Sequence, residues 1–232
     1  MNRSTLLLID DHPLFRRGLA GMFSSAGDFE VVGEASSGRE GIELARRLLP
    51  NVVLLDLHMP GLGGLQALDE IKQLELGCRV IVLTAALDRR ELLEALHLGV
   101  DGYVLKETEP EALLTYVRQC HAGSVVLDNQ MVSLLADVAS GAETAAPSGA
   151  AHVELTAREA QTLALIARGM SNKLIAREFG ISDGTVKIHV KNLLRKFKLR
   201  SRLELAAWVF QSVQPAVQGS SNVDLAEFHR AN

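Results

Sequence analysis

A chain of 232 residues, 47% of them hydrophobic, is long enough for one large domain or two smaller ones with real cores. No apolar run approaches the ~20 residues of a membrane span, the N-terminus opens without a signal-peptide pattern, and Cys78 and Cys120 lack metal or disulfide-framework spacing. These features exclude a membrane-spanning or disulfide-stapled protein and predict a reduced, cytoplasmic one. The net charge of −4 hides a split: residues 1–125 carry 12 Lys and Arg against 18 Asp and Glu, whereas residues 153–213 carry 11 against 5. Opposite signs predict two domains with different partners, nucleic acid being the natural one for the basic half.

The first predicted element is an apolar strand at 5–9 that ends in Asp10-Asp11. A helix over 14–23 follows, with Leu14, Leu19, Met22 and Phe23 as its apolar positions. The alternation continues with strand 31–35, helix 38–48, strand 52–56, helix 65–74, strand 80–84, helix 88–98, strand 102–105 and helix 109–122. The last helix opens on Thr108-Glu-Pro-Glu, a capping-box pattern. Five β/α units in sequence predict an α/β fold, a doubly wound five-stranded parallel sheet with helices on both faces.

The run at 52–56 is apolar until its final residue, Asp56, and breaks soon afterwards at Pro60-Gly61. Asp10, Asp11, Asp56, Thr84 and Lys106 all fall where strands end, and in a doubly wound sheet those ends meet on one rim. Carboxylates gathered there repel one another, so either a proton is retained or a cation sits among them. Mg²⁺ suits such an oxygen-rich set. The Thr84 hydroxyl and the Lys106 ammonium suit phosphoryl oxygens.

Through Asp10-Asp11, Asp56 with Met59-Pro-Gly61, Thr84, and Gly102-Tyr-Val-Leu-Lys106, residues 6–121 resemble the flavodoxin-like receiver domain of bacterial two-component response regulators. The resemblance implies that Asp56 accepts a phosphoryl group from a sensor histidine kinase. It also implies that Asp11 binds Mg²⁺ directly with Asp10 assisting, that the His58 backbone carbonyl is a further ligand, and that Thr84 and Lys106 hold the phosphoryl group. Tyr103 is then, with Thr84, the switch residue. His58 stands where close relatives often carry Asn, which bears on the lifetime of the phosphoryl-aspartate.

Residues 125–152 read as a linker, with a short helix over 129–139 and a tether of small residues at 140–149. Beyond it, Thr156-x-x-Glu159 is a capping box for a helix to about Ala167. A short helix over 172–179, a Gly180-Ile-Ser182 turn, and a third helix to about Phe197 form a helix-turn-helix in a small all-α domain, 153–213. A fourth helix begins at Ser201 or Arg202. On the third helix, Val186, Val190, Leu193 and Phe197 share a core stripe, while Lys187, Ile188, Lys191, Asn192 and Arg195 face away. A β-branched Ile flanked by lysines on an outward face suits a major groove, where it would meet a thymine methyl.

Leu155-Thr-x-Arg-Glu159, Asn172-Lys-x-Ile-Ala176 and Thr185-Val-Lys-x-His-Val-Lys191 resemble the LuxR-type DNA-binding domain, and the whole chain resembles the NarL/FixJ family. The runs Val-Val-Gly-Glu-Ala-Ser at 31–36, Glu-Pro-Glu-x-Leu-Leu at 109–114 and Lys-Leu-x-Ser-Arg at 198–202 point to its nitrate/nitrite regulators. By resemblance, Lys187, Ile188 and Lys191 read promoter DNA. Leu205, Ala206 and Val209 on the final helix make a homodimer, and RNA polymerase is a further partner; none of this involves a membrane. The receiver is expected to cover the recognition helix until it is phosphorylated, and residues 214–232 are expected to be a disordered tail.

Two other readings stay open. A receiver that acts without phosphorylation is one. The other is a phosphatase of the haloacid-dehalogenase type, which needs a second Asp two positions after the first, where His58 stands; no GxGxxG or GxxxxGK[ST] loop supports a nucleotide enzyme.

Overall fold

The computed structural model describes residues 3–124 and 155–213, with side chains described as far as Val209. The predicted linker helix, the tether and the tail lie outside the described residues.

The first half alternates strictly: β1 (Ser4–Ile9), α1 (Pro13–Ala26), β2 (Phe29–Ala35), α2 (Gly38–Leu48), β3 (Val52–Asp56), α3 (Gly64–Gln73), β4 (Arg79–Thr84), α4 (Arg89–His97), β5 (Gly102–Leu105) and α5 (Pro110–His121). All strands pair in parallel, in the order β2-β1-β3-β4-β5. Because side chains alternate along a strand, the apolar runs supply both faces at once. Leu6, Leu8, Val52, Leu54, Ile81, Leu83 and Val104 pack with Leu19, Phe23, Leu113 and Val117 of α1 and α5. Leu7, Ile9, Val53, Leu55, Val80, Val82 and Tyr103 pack with α2, α3 and α4 through Ile42, Ala67, Leu68, Leu92 and Ala95.

Two local expectations fail. Leu14 is 87% exposed, and Phe15 packs toward the core in its place. Pro13 opens α1, and past this first turn Leu19, Met22 and Phe23 keep the predicted stripe. Thr108 caps nothing: Glu109 is the N-cap of α5 and makes no side-chain capping bond, because Pro110 starts the helix there.

The second half is helical: α6 (Ala157–Ala167), α7 (Asn172–Phe179), α8 (Asp183–Phe197) and α9 (Arg202–Val213). The Thr156–Glu159 capping box forms as predicted, and Ser182 caps α8 by accepting from the Thr185 N–H at 3.1 Å. Gly180 ends α7 in the left-handed region at φ 64°, which is what lets the chain turn directly into α8. Ile166, Ile175, Val186, Leu193, Leu205 and Ala206 are fully buried at the centre of this domain. Glu159 ties α6 to α8 through Lys196, 2.7 Å away.

Asp101, in the turn before β5, centres an ion-pair cluster of the receiver half. It accepts from Arg79 Nη1 at 2.8 Å and the Val80 N–H at 2.9 Å, and it pairs with Lys72. Burial alone would push its carboxyl up, but Lys72 and Arg79 outweigh burial and hold it below the ordinary carboxylate range. A depressed folded-state pKa contributes stability above the unfolded value, and this is lost as pH falls through the folded value. Asp101→Asn should therefore lower stability by about 1–3 kcal/mol at pH 7. In urea titrations between pH 7 and 3, the gap between the variant and the unaltered chain should narrow only toward the acid end.

Candidate functional site

The sheet reverses its winding between β1 and β3, where one crossover leaves toward β2 and the next toward β4. A crevice opens at the carboxyl ends of the strands at such a point. Register places Ile9 opposite Leu55, Asp56 opposite Leu83, and Thr84 opposite Leu105. Asp10, Asp56, Thr84 and Lys106 therefore line one rim, and the Lys106 N–H bonding to the Thr84 carbonyl at 2.8 Å continues the ladder into the site.

Lys106 Nζ lies 2.7 Å from Asp56 Oδ2 and 2.8 Å from Asp10 Oδ2. Both carboxylates are almost wholly buried, Asp56 to 1% exposure. Burial pushes the Asp56 carboxyl up, and Asp10 adds to this; the bond from Lys106 opposes both without cancelling them. Burial pulls Lys106 down, but its bonds to Asp10 and Asp56 prevail and hold the ammonium above its usual range. Phe15 lies over the same ammonium, 5.0 Å from ring centroid to Nζ.

Asp11 and His12 close the rim. Oxygen and nitrogen atoms of Asp10, Asp11, His12 and Asp56 all lie within 4.8 Å of one another, a grouping able to hold a divalent cation. The Asp11 Oδ1 atom is buried and accepts no hydrogen bond, as expected of a carboxylate left for a metal ion. The donor set fits such an ion.

His58 sits at the rim through its backbone: its N–H donates to Asp56 Oδ1 at 3.2 Å. Its ring turns to α4, 2.9 Å from Glu91 Oε1. Thr84 is fully buried, and its hydroxyl donates to the Ala86 carbonyl at 3.0 Å. Tyr103 is also fully buried on the α4 side, and burial, with Glu91 and Asp88 nearby, pushes its phenol well up.

Sequence reasoning passes over three participants: His12, Glu91 and Gly64. A Cβ on Gly64 would stand 2.1 Å from the Asp56 carbonyl oxygen and 2.5 Å from Leu57 Cα. Only glycine lets α3 start against the backbone that carries Asp56. The signal available was Gly63-Gly64 just past the Pro60-Gly61 break.

At the other end of the molecule, α8 buries Val186, Val190 and Leu193 and leaves Lys187, Lys191 and Arg195 exposed, with Asn192 partly so. Ile188 is 61% exposed among them. Lys187 pairs with Asp183 one turn earlier, at 3.0 Å.

The contact between the halves departs from expectation. The recognition face is open, and the receiver meets α9 instead, with Leu203 and Ala207 buried in the receiver's cluster. His97 Nδ1 and Glu204 Oε1 face each other across it at 3.5 Å. Leu205 and Ala206, expected at a dimer surface, are fully buried inside the helical domain. With apolar residues nearly all round, α9 has two covered faces and no free stripe made by these two residues.

A rim of buried acids, a lysine and a strand-end threonine on a doubly wound sheet, tethered to a helix-turn-helix, defines a signalling regulator rather than an enzyme. Residues 6–118 match the response regulator receiver domain family, and residues 153–209 match the bacterial regulatory proteins of the luxR family. The chain is 46% identical over 208 residues to the nitrate/nitrite response regulator protein NarL of Escherichia coli (strain K12), covering 90% of this chain and 95% of that one. The signal receiver domain of a NarL response regulator from Mycobacterium tuberculosis superposes with a TM-score of 0.52 at 35% identity, covering 53% of this chain and 99% of that one. The response regulator ChrA of a heme-sensing two-component system gives 0.51 at 29% identity, covering 91% and 98%. The chain belongs to the NarL/FixJ family of two-component response regulators, with a receiver phosphorylation-site cluster and a DNA-binding helix-turn-helix. No helix among the described residues is long and apolar enough to cross a membrane.

One cation against three acids leaves the rim overcharged, so removing one acid should relieve it. Asp56→Asn should raise the unfolding free energy in EDTA by about 1 kcal/mol at pH 7. The same variant should lose most of the stabilisation that added divalent ions give the unaltered protein, as read by thermal melts.

Proposed function

We propose that this protein is a transcriptional regulator switched on by phosphorylation of Asp56. Residues 1–124 act as the receiver, 125–152 as the linker and 153–213 as the DNA-binding domain. The observation that carries the proposal is the Lys106 ammonium bridging buried Asp56 and Asp10.

The donor would be a phosphohistidine of a partner sensor kinase. An Asp56 carboxylate oxygen attacks phosphorus, the P–N bond breaks, and the electron pair and a proton end on the imidazole leaving group. Asp11 and Asp56, the His58 carbonyl and, less directly, Asp10 would hold Mg²⁺, which when bound neutralises charge on the transferred oxygens. Lys106 supplies the fixed positive charge on the opposite side, held ready by its pairing. The His58 N–H on Asp56 Oδ1 fixes the carboxylate's orientation. After transfer, the Thr84 hydroxyl exchanges the Ala86 carbonyl for a phosphoryl oxygen, and space opens for Tyr103 to shift.

The output would be promoter binding as a homodimer, with Lys187, Ile188 and Lys191 reading the major groove and Asn192 and Arg195 beside them, and with RNA polymerase as the downstream partner. Similarity to the E. coli nitrate/nitrite regulator supports a nitrate- or nitrite-responsive system, the anion being sensed by the kinase.

Acetyl phosphate with Mg²⁺ should label the unaltered chain with one phosphoryl group by intact mass, and Asp56→Asn should take none. An unlabelled native chain, or a labelled variant, would favour a receiver that works without phosphorylation. Lys191→Ala should weaken operator binding in gel shifts and reduce the slope of log K against log salt by about 1. An unchanged slope would remove Lys191 from the DNA contacts.

A further inference from the structure

The metal reading above assigns His12 no part, yet its ring enters the same cluster. His12 Nδ1 lies 2.8 Å from Asp11 Oδ1, 3.4 Å from Asp10 Oδ1 and 3.9 Å from Asp56 Oδ2. For metal–ligand bonds of ~2.1 Å, octahedral geometry puts neighbouring ligand atoms ~3.0 Å apart and opposite ones ~4.2 Å apart. All three separations are close to or inside that interval. The 2.8 Å approach to Asp11 is also not an aligned hydrogen bond, since Asp11 Oδ1 accepts none. A nitrogen and an oxygen this close, with no hydrogen aligned between them, are placed as two ligands of one ion would be.

The backbone brings the ring to the edge of the cluster. Pro13 confines the residue before it to extended conformations, and His12 sits at φ −86°, ψ 104° as the N-cap of α1. Its N–H donates to Asp10 Oδ1 at 2.8 Å, so the turn that carries the acids also carries the imidazole. The ring's outer edge stays in solvent, with two thirds of the side chain exposed.

We infer that His12 is a direct ligand, through Nδ1, of the divalent ion at the phosphoacceptor site, and that it biases this site toward transition-metal ions over Mg²⁺. The chemistry is ligand matching: imidazole nitrogen suits Mn²⁺, Co²⁺, Ni²⁺ and Zn²⁺, whereas Mg²⁺ keeps oxygen ligands and water. Mg²⁺ then binds through the acids with His12 turned to solvent, and a transition ion gains one further bond. The inference rests on the phosphoacceptor reading of the rim but adds a residue and a selectivity to it.

The decisive measurement is electron spin-echo modulation of Mn²⁺ bound to the full chain. The unaltered protein should show ¹⁴N coupling from a ligated imidazole; His12→Ala should lose it, and His58→Asn should keep it. Calorimetric titration supplies a second readout. His12→Ala should weaken Co²⁺ binding by about tenfold or more, the loss seen when even an outer partner of a metal site is removed, while Mg²⁺ affinity changes less than ~twofold. A native Mn²⁺ complex without ¹⁴N coupling overturns the inference, as does coupling that survives His12→Ala or an equal loss for both ions. Labelling of Asp56 by acetyl phosphate with Mg²⁺ is scored separately. If labelling persists while the nitrogen signal is missing, only the role of His12 falls.

Discussion

One ammonium between two buried carboxylates organises this molecule. Lys106 meets Asp56 and Asp10 at 2.7 and 2.8 Å at the point where the sheet reverses its winding. Charges in such a place are tolerated only when paired, and Lys106 leaves the rim with more acid than it can match. The surplus explains why the site is chemically poised. A phosphoryl group would add still more negative charge, and a divalent cation held by the same acids would offset it. Burial above all keeps the Asp56 carboxyl raised, with Asp10 adding to it against the opposing bond from Lys106.

A continuous run of contacts joins the rim to the helical domain. Thr84 ends β4, and Tyr103 on β5 packs into the cluster that includes Leu92, Ala95 and Leu96 of α4. That cluster also contains Leu203 and Ala207 of α9. The His58 ring on Glu91 adds a polar tie from the loop after Asp56 to the same helix. α4 is thus gripped at one end by the site and touched along its side by the output domain. One packed helix, α4, lies between the rim and α9.

Much of this was readable from residues alone because two periodicities carry it. Apolar runs of four to six residues, interrupted by helical stripes, specify a parallel sheet covered on both faces, and the polar residue ending each run is on the rim by geometry. The Thr156–Glu159 box and the Ser182 cap were legible because capping is local chemistry. The misreadings share a cause, since residue spacing alone fixes neither where a helix begins nor which neighbours fold against it. Leu14 has helical spacing yet faces water in the first turn of α1, where Phe15 packs instead, while Leu19 and Phe23 stay in the core. Thr108 has capping-box spacing but lies one residue too early for a helix that starts at Pro110. His12 and Glu91 carry no pattern at all; they join the site only because a turn and a neighbouring helix bring them there.

The last helix shows most plainly what a one-dimensional reading lacks. The sequence resemblance gives Leu205, Ala206 and Val209 to a single partner and leaves Leu203 and Ala207 without a role. In three dimensions they divide: Leu205 and Ala206 complete the core of the helical domain, while Leu203 and Ala207 complete the receiver's. A helix covered on two sides behaves as a joint, because parting the domains would expose Leu203 and Ala207 to water at about 25 cal/mol per Å² of apolar surface. The recognition face needs no such uncovering, since Ile188 and its lysines already face solvent. The receiver's contact is with α9, so the face carrying Lys187, Ile188 and Lys191 stays open beside it.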